Sequence, residues 1–171
     1  MRLFRFFTAS AMAVLLAGCA GYHLGPVNRS IRAGEESVEV LPFNNQTLQP
    51  RLGSVLTQAL REQLQTDGTY HLATHGPGDV VVTGVITRYG REAVSFLSAD
   101  VTTPQDYRVT MAAYVTARDH ATGKVLLDKY VTGEALVHVS SDLANAERQA
   151  LPLLAQDLAQ NITELLTGGA W

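Results

Sequence analysis

Residues 79–88 read DVVVTGVITR and are the most strongly β-forming stretch of the chain. Valine and isoleucine are β-branched, and β-branched side chains favour strands. A nearly continuous apolar run of this length is typical of a central strand that is covered on both faces. We therefore expect this stretch to lie in the middle of a sheet, with residues 91–96 continuing it past a bend at Gly90.

Shorter β patterns lie on both sides of this stretch. Residues 37–41 alternate apolar and polar side chains and end at a proline, which predicts a first strand. Residues 97–104 are polar enough to form a loop. Residues 105–118 alternate clearly, and the glycine-containing turn at 119–123 predicts a hairpin to an antiparallel last strand over 124–139.

Two other segments have the period of a helix. Residues 48–67 place leucine, valine and alanine at spacings of three and four, which gives one apolar stripe. A cap at 140–142 precedes a second stripe over 143–166, where Pro152 is expected to kink the helix or to mark where its main part begins. Residues 70–74 are compatible with one more short strand.

These elements follow the order β-α-β-β-β-β-α, or one strand fewer if residues 70–74 form none. Each helix has a single apolar stripe to bury, and the apolar face of a sheet can cover it. We therefore predict an α+β fold in which two helices pack on one face of a four- to five-stranded mixed sheet.

Composition limits the class of protein. The chain has 171 residues, of which 46% are hydrophobic and 17% charged, so it can bury the core of one domain. The formal net charge of −3 and the absence of a long basic block argue against a nucleic-acid partner. The single cysteine, Cys19, excludes an intramolecular disulfide.

The N-terminal residues have the pattern of a secretory signal. Arg2 and Arg5 precede a mostly apolar run over 6–17, which is too short to span a bilayer but suits a signal peptide. The run ends in Leu16-Ala17-Gly18-Cys19, which resembles the bacterial lipobox, where the cysteine is lipidated and becomes the new N-terminus. A plain secretory signal with a chance cysteine is the alternative. We favour the lipobox because the only cysteine of the chain stands behind two small residues.

Cleavage before Cys19 would divide the chain into a removed signal peptide at 1–18, a lipidated leader at 19–36 and one domain at 37–171. By resemblance to lipoprotein sorting, Ala20 after the cysteine favours the outer membrane, on its periplasmic side. More than one acyl chain makes such an anchor stable. The covalent lipid on Cys19 is the only attached group that we expect, and we expect no cofactor.

A search for catalytic patterns finds none that is convincing. The five histidines are scattered, and His71 and His75 stand at a strand end and a turn, so we expect no metal site. Ser95 has no evident base beside it, and Asp100 with Asp106 is better explained as a solvated loop than as a paired acid. We therefore predict no catalytic residues and a protein that is not an enzyme.

Basic residues on the predicted strands are the candidate ligand site. If the strands pair as expected, they form a basic patch that suits phosphates, such as those of a glycolipid head group. The candidates are Arg88, Arg91, Arg108, Arg118 and Lys129. Ordinary solvated charges on the outer face of a sheet are the alternative. The same face carries Tyr114 and Tyr130 beside threonines, which would equally suit a protein partner.

The residues after the cysteine resemble a known family. Cys19-Ala20-Gly21-Tyr22-His23-Leu24 is similar to the start of mature lipopolysaccharide-assembly lipoproteins (LptE), in which Gly-aromatic-His-Leu closely follows the lipidated cysteine. The later order of elements also looks similar over essentially the whole mature chain, but in pattern only.

This resemblance implies a fold, a partner and a ligand. Members of the family pack two helices on a four-stranded sheet and sit in the lumen of the outer-membrane β-barrel LptD as a plug and assembly factor. They bind lipopolysaccharide. Lys129 is the best single match to the basic residues implicated in that binding, whereas the four arginines rest on position alone.

A second resemblance gives the alternative function. Residues 40–47, read VLPFNNQT and followed by a helix, look like the opening of lipoproteins with a TolB-N-like domain, including activators of cell-wall synthases. Such regulators usually need a long reach from the membrane. Only about seventeen residues separate Cys19 from the first predicted strand, so the sequence favours the LptE interpretation.

Overall fold

The computed structural model describes residues 36–97, 100–139 and 142–168. The predicted signal peptide, Cys19 and the leader before Glu36 lie outside these residues. The elements, in chain order, are β1 (Ser37–Val40), β2 (Asn44–Asn45), α1 (Leu52–Asp67), β3 (His71–Leu72), β4 (Val80–Leu97), β5 (Asp100–Asp119), β6 (Val125–His138) and α2 (Leu143–Thr167).

The strands form one mixed sheet in the order β3-β1-β4-β5-β6. β1 lies parallel to both β3 and β4, and β2 pairs with β4 farther along, also in parallel. β4, β5 and β6 are antiparallel neighbours. Both helices pack against the same face of this sheet and against each other. The predicted α+β fold with two helices on one face of a mixed sheet is therefore confirmed.

The two faces of the sheet differ sharply in burial. On β5, Val109, Met111, Ala113 and Val115 are buried against the helices, whereas Thr110, Ala112 and Tyr114, which alternate with them, are partly exposed. We call these two sides the covered face and the open face. β4 is central in the strand order, but the prediction that it is covered on both faces is wrong. Thr83 is exposed on its other side, and no described element packs there.

The predicted loop at 97–104 is also wrong. β4 continues to Leu97, β5 starts at Asp100, and these two residues are in register across the hairpin. Thr102 and Thr103 are exposed but β-branched, so their polarity reflects a solvent-facing part of the hairpin and not a break in it.

The helix ends follow local chemistry. α1 begins at Leu52, four residues later than predicted, because Arg51 adopts a left-handed backbone with φ of 67° just before it. Leu48 consequently lies outside the stripe and is fully exposed. Asp142 caps α2 by accepting from the backbone N–H groups of Ala144 and Asn145, as expected.

Pro152 lies inside α2 and does not end it. The side chains of α2 become buried from Ala150 onward, so the part of the helix that packs on the sheet begins within two residues of the proline.

Close helix–strand packing on the covered face depends on a glycine. A Cβ placed on Gly133 of β6 would lie 2.7 Å from the Cβ of Leu158 in α2. Because no side chain intervenes, the backbone of α2 rests directly on β6 in the middle of its length. This contact fixes the helix along the outer strand of the sheet.

Within the described ranges, neither helix combines the length and the apolar character that a membrane span requires.

Candidate functional site on the open face of the sheet

The register of β4, β5 and β6 arranges the open face in cross-strand rows. Each row contains one residue from each strand, because partners in register point to the same side. From one end to the other, the rows are Thr83–Thr116–Asp128, Val85–Tyr114–Tyr130, Arg88–Ala112–Thr132, Gly90–Thr110–Glu134, Glu92–Arg108–Leu136 and Ser95–Asp106–His138.

The five predicted basic residues are not gathered in one place. Arg88, Arg108 and Arg118 lie on the open face, but Arg108 and Arg118 are ten positions apart on β5, or about 33 Å at the usual rise of a strand. Arg91 pairs with the buried Val109, and Lys129 pairs with the buried Val115, so both belong to the covered side of the sheet.

Two of these five basic residues form ion pairs with a glutamate. Arg108 Nε lies 3.4 Å from Glu134 Oε2. Arg91 is bound 2.6 Å from Glu147 of α2, and the hydrogen bond and charge of that carboxylate raise the pKa of Arg91. Arg88 is exposed and forms no ion pair with any residue that the structure describes. Arg118 is likewise exposed and without an ion pair among the described residues, so Arg88 and Arg118 are better able to receive a new anion than Arg108.

A polar network crosses all three strands at the last row. Ser95 Oγ donates to one carboxylate oxygen of Asp106, and the Nδ1 atom of His138 lies 2.7 Å from the other. The bonds from Ser95 and His138 lower the pKa of Asp106. The carboxylate stands between the serine and the histidine, so the imidazole does not contact the hydroxyl and the network lacks the Ser–His–Asp order of a catalytic triad.

A second cluster surrounds the tyrosine pair. The rings of Tyr114 and Tyr130 have centroids 4.8 Å apart and are inclined at 58°. The carboxylate of Asp128 accepts from the hydroxyls of Tyr114 and Thr116, which lowers the pKa of Asp128 and raises that of Tyr114. Tyr114 is therefore held in place by its bond to Asp128, whereas Tyr130 is 69% exposed.

A depression of about 540 Å³ lies between these two clusters. On the open face it is lined by Arg88, Thr110, Ala112, Thr132 and Glu134. It extends to the outer edge of β6, where side chains from α2 meet the strand. This size is within the range of small-molecule sites.

Two α2 side chains close the edge of β6 beside the depression. Asp157 accepts from the backbone N–H of Glu134 at 2.9 Å, and Asn161 donates to the carbonyl of Thr132 at 2.9 Å. They take the place of a neighbouring strand and block strand addition at this point. The same bonds hold both side chains in fixed positions at the rim of the depression.

Metal binding finds no support among the residues described. In ranges 36–97, 100–139 and 142–168, no group of three or more histidine, cysteine, aspartate or glutamate side chains is placed to hold an ion.

Sequence reasoning missed the depression and the Ser95 network. Both depend on the register of two successive hairpins, and sequence spacing along a single strand carries no signal for that register. The alternation over 105–118 could have placed Thr110, Ala112 and Arg108 on one side of β5, but not their partners on β4 and β6.

Solved structures share this fold. Protein XCC0632 from Xanthomonas campestris is 12% identical with a TM-score of 0.57, and covers 85% of this chain and 92% of its own. The hypothetical protein CT253 from Chlamydia trachomatis is 11% identical with a TM-score of 0.56, and covers 78% of this chain and 96% of its own. The PelC dodecamer from Paraburkholderia phytofirmans is 17% identical with a TM-score of 0.50, and covers 80% of this chain and 92% of its own. At these identities the likeness extends to the fold alone.

One protein family matches the chain by sequence pattern. No curated protein is similar enough to count as a relative. The family described as LptE, lipopolysaccharide-assembly, matches residues 36–166, which include all the strands and nearly all of α2. Because this match spans more than half of the chain, the protein belongs to the LptE family of non-enzymatic lipopolysaccharide-assembly lipoproteins.

Proposed function

We propose that this protein is an outer-membrane lipoprotein that acts as the plug and assembly factor of an LptD β-barrel during lipopolysaccharide transport to the cell surface. The observation that carries the proposal is the family match over residues 36–166, which spans the sheet and both helices.

The anchor is part of the same proposal. Residues 1–18 act as a signal peptide and are removed, Cys19 receives the lipid, and the leader at 19–36 connects it to the domain at 37–171. An anchor at this position holds the domain on the periplasmic side of the outer membrane, close to the base of a barrel. The partners are then the LptD barrel, lipopolysaccharide and the membrane itself.

Lipopolysaccharide binding is assigned to the basic residues of the long strands. Arg88 and Arg118 support it most directly, since both are exposed and have no ion pair among the described residues. Arg108 would exchange Glu134 for a phosphate, and a charge-assisted bond to phosphate is stronger than an exposed ion pair. Arg118 would contact the ligand at the other end of the open face. Lys129 belongs to the covered side of the edge strand β6, so it would contact a ligand that reaches around that edge, and Arg91, also on the covered side, would first have to leave Glu147.

Partner identity is tested by purification and depletion. The tagged lipoprotein, extracted gently from outer membranes, should copurify with a large β-barrel in equal amounts, and its depletion should keep new lipopolysaccharide from the surface. A Cys19→Ala variant serves as the control for anchoring. Recovery of a cell-wall synthase in place of the barrel, or normal surface lipopolysaccharide after depletion, would contradict the proposal.

Ligand binding is tested with charge reversals. Arg88→Glu and the double variant Arg108→Glu with Lys129→Glu should weaken binding of purified lipopolysaccharide, while Arg148→Glu, an exposed position on α2, should not. Thermal unfolding of each variant checks that the domain remains folded. Equal affinity in all variants would show that these charges are ordinary solvated residues.

A further inference from the structure

The depression on the open face is formed by small side chains between larger ones. Ala112 occupies its centre and Gly90 lies one row away, while Arg88 stands on the β4 side and Glu134 on the β6 side. Because the middle strand contributes little bulk in these rows, an extended ligand can lie across the sheet there. Its volume of about 540 Å³ is sufficient for a small molecule or a short chain.

The hydrogen-bonding groups of the depression are mixed and partly held in place. Thr110 and Thr132 offer hydroxyls that donate and accept, and Arg88 offers free donors. Asp157 and Asn161 are oriented at the rim by their bonds to the backbone of β6. A ligand with many hydroxyls, each of which both donates and accepts, matches such a set.

An aromatic ring adjoins the depression. Tyr130 is two residues from Thr132 on the same face of β6, or about 7 Å along the strand, and its side chain is 69% exposed. Tyr114 supports it from β5 and is itself tied to Asp128. The face of an aromatic ring carries partial negative charge, so it attracts the weakly positive C–H groups of a flat ring that packs on it.

The charges and the lack of apolar lining exclude other ligand classes. Glu134 and Asp157 oppose the charge of Arg88, so the depression as a whole favours a hydroxyl-rich ligand over a bare phosphate, while Arg88 remains able to bind a phosphate that such a ligand carries. A protein partner would seek an apolar pocket for an anchoring side chain, and Ala112 and Met111 are the only apolar residues in the lining. A saccharide has both polar hydroxyls and a C–H face, and it meets both conditions.

We propose that the depression and Tyr130 form a saccharide-binding site, which takes a short chain of pyranose sugars with one ring packed on Tyr130. This inference goes beyond the proposed transport function, because the site stands whether or not the protein plugs a barrel. The sugar could belong to lipopolysaccharide or to the cell wall, and both present the same pyranose chemistry.

The test is an NMR titration of the full mature lipoprotein in a detergent without a sugar head group. The two probes are a tetramer of N-acetylglucosamine and the dephosphorylated core oligosaccharide of lipopolysaccharide. We expect at least one probe to shift the amide signals of Tyr130 and Thr132 in a saturable way. Which probe binds identifies the source of the sugar.

Two variants and a matched control decide the outcome. Tyr130→Ala should weaken binding about tenfold, and Thr132→Val, which removes one hydroxyl but retains the backbone carbonyl that Asn161 contacts, should weaken it severalfold. Leu136→Ala removes a similarly exposed side chain from the same face of β6 and should leave the affinity unchanged. The absence of binding by both probes, or an unchanged affinity in Tyr130→Ala, would overturn the proposal, as would an equal loss in the Leu136 control. If the barrel failed to copurify with the lipoprotein, the proposed transport function would be contradicted, but the saccharide-binding site would not.

Discussion

β6 shows the contrast between the two faces of the sheet within a single strand. Val131, Gly133 and Val137 are buried against α2, while Tyr130 and Thr132 alternate with them on the open face. The covered residues are fixed by their neighbours, because close-packed interiors tolerate little change in volume. The open residues contact water and each other. Stability and ligand binding therefore depend on different side chains of the same strand and can be altered separately.

The largest effect is expected where the contrast is strongest. Leu158 of α2 is fully buried over Gly133, and Leu158→Ala would leave a cavity. We expect the free energy of unfolding to fall by about 2–5 kcal/mol. Leu136→Ala, on the open face of β6, should change it by no more than about 0.5 kcal/mol. Urea unfolding measures both, and similar losses would show that the open face is covered by something in the folded protein.

A buried hydroxyl gives the next largest effect, at high pH. Tyr70 is 1% exposed, and its hydroxyl has no hydrogen-bond partner among the residues that the structure describes. Burial, followed by the charges of Glu36 and Asp67, raises the pKa of Tyr70 to about 12. Above pH 10 the unfolded chain loses this proton and the folded chain keeps it, so stability falls as the pH rises toward 12. The loss from Tyr70 amounts to about 2–3 kcal/mol.

Tyr70→Phe tests this expectation. The variant should be at least as stable as the wild type at pH 7, since it removes a buried hydroxyl that no described residue pairs with, and should lose less stability between pH 10 and 12. Unfolding curves at pH 7, 10 and 12 measure the difference. Tyr130→Phe removes a hydroxyl from an exposed ring and serves as the control at pH 7. A parallel decline of the wild type and Tyr70→Phe would show that Tyr70 is not the group concerned.

Two glycines sharpen the comparison further. Gly133→Ala would push a methyl group into Leu158, and we expect a loss of about 1–3 kcal/mol. Gly90→Ala faces the open side, where the new methyl would meet only Thr110 Oγ1 at an ordinary 3.6 Å. That change should be neutral or slightly stabilising, because alanine restricts the unfolded chain. Equal destabilisation by the two changes, measured by thermal unfolding, would contradict the difference in packing.

Much of the fold follows from hydrophobic period. The alternation over 105–118 predicts β5 and its covered face, and the helical stripes predict both helices, because one-sided burial leaves a regular signal. The hairpin end at 97–104 could not be recognised, since exposed strand residues and loop residues are both polar. The late start of α1 depends on the left-handed backbone of Arg51, which no spacing of residues predicts.

The candidate site was less predictable because it depends on register. The pairing between β4 and β5 skips Thr87, so Ile86 faces the helices and Arg88, two positions later, faces the open side. Simple alternation would have put Arg88 on the covered face and Arg91 on the open one. The one extra residue in β4 therefore places Arg88 and Arg91, two candidate ligand-binding residues, on the faces opposite to those that simple alternation predicts. Ser95, Asp106 and His138 come together only because the register between β4 and β5 and the register between β5 and β6 both place them in the same row.

The smallest effect is expected from the exposed network at Asp106. Bonds from Ser95 and His138 hold the pKa of Asp106 below its ordinary value of 3.8. The network therefore stabilises the folded protein above about pH 4, and this contribution is lost as the pH falls through the lowered pKa. Because the Asp106 side chain is 35% exposed and partly screened by water, Asp106→Asn should lower the melting temperature at pH 7 less than Gly133→Ala does. The difference between the wild type and Asp106→Asn should shrink as the pH is lowered from 4. If the difference in stability between the wild type and Asp106→Asn instead grew toward low pH, the folded protein would favour the protonated form of Asp106. The network would then not stabilise the carboxylate, which would contradict the prediction.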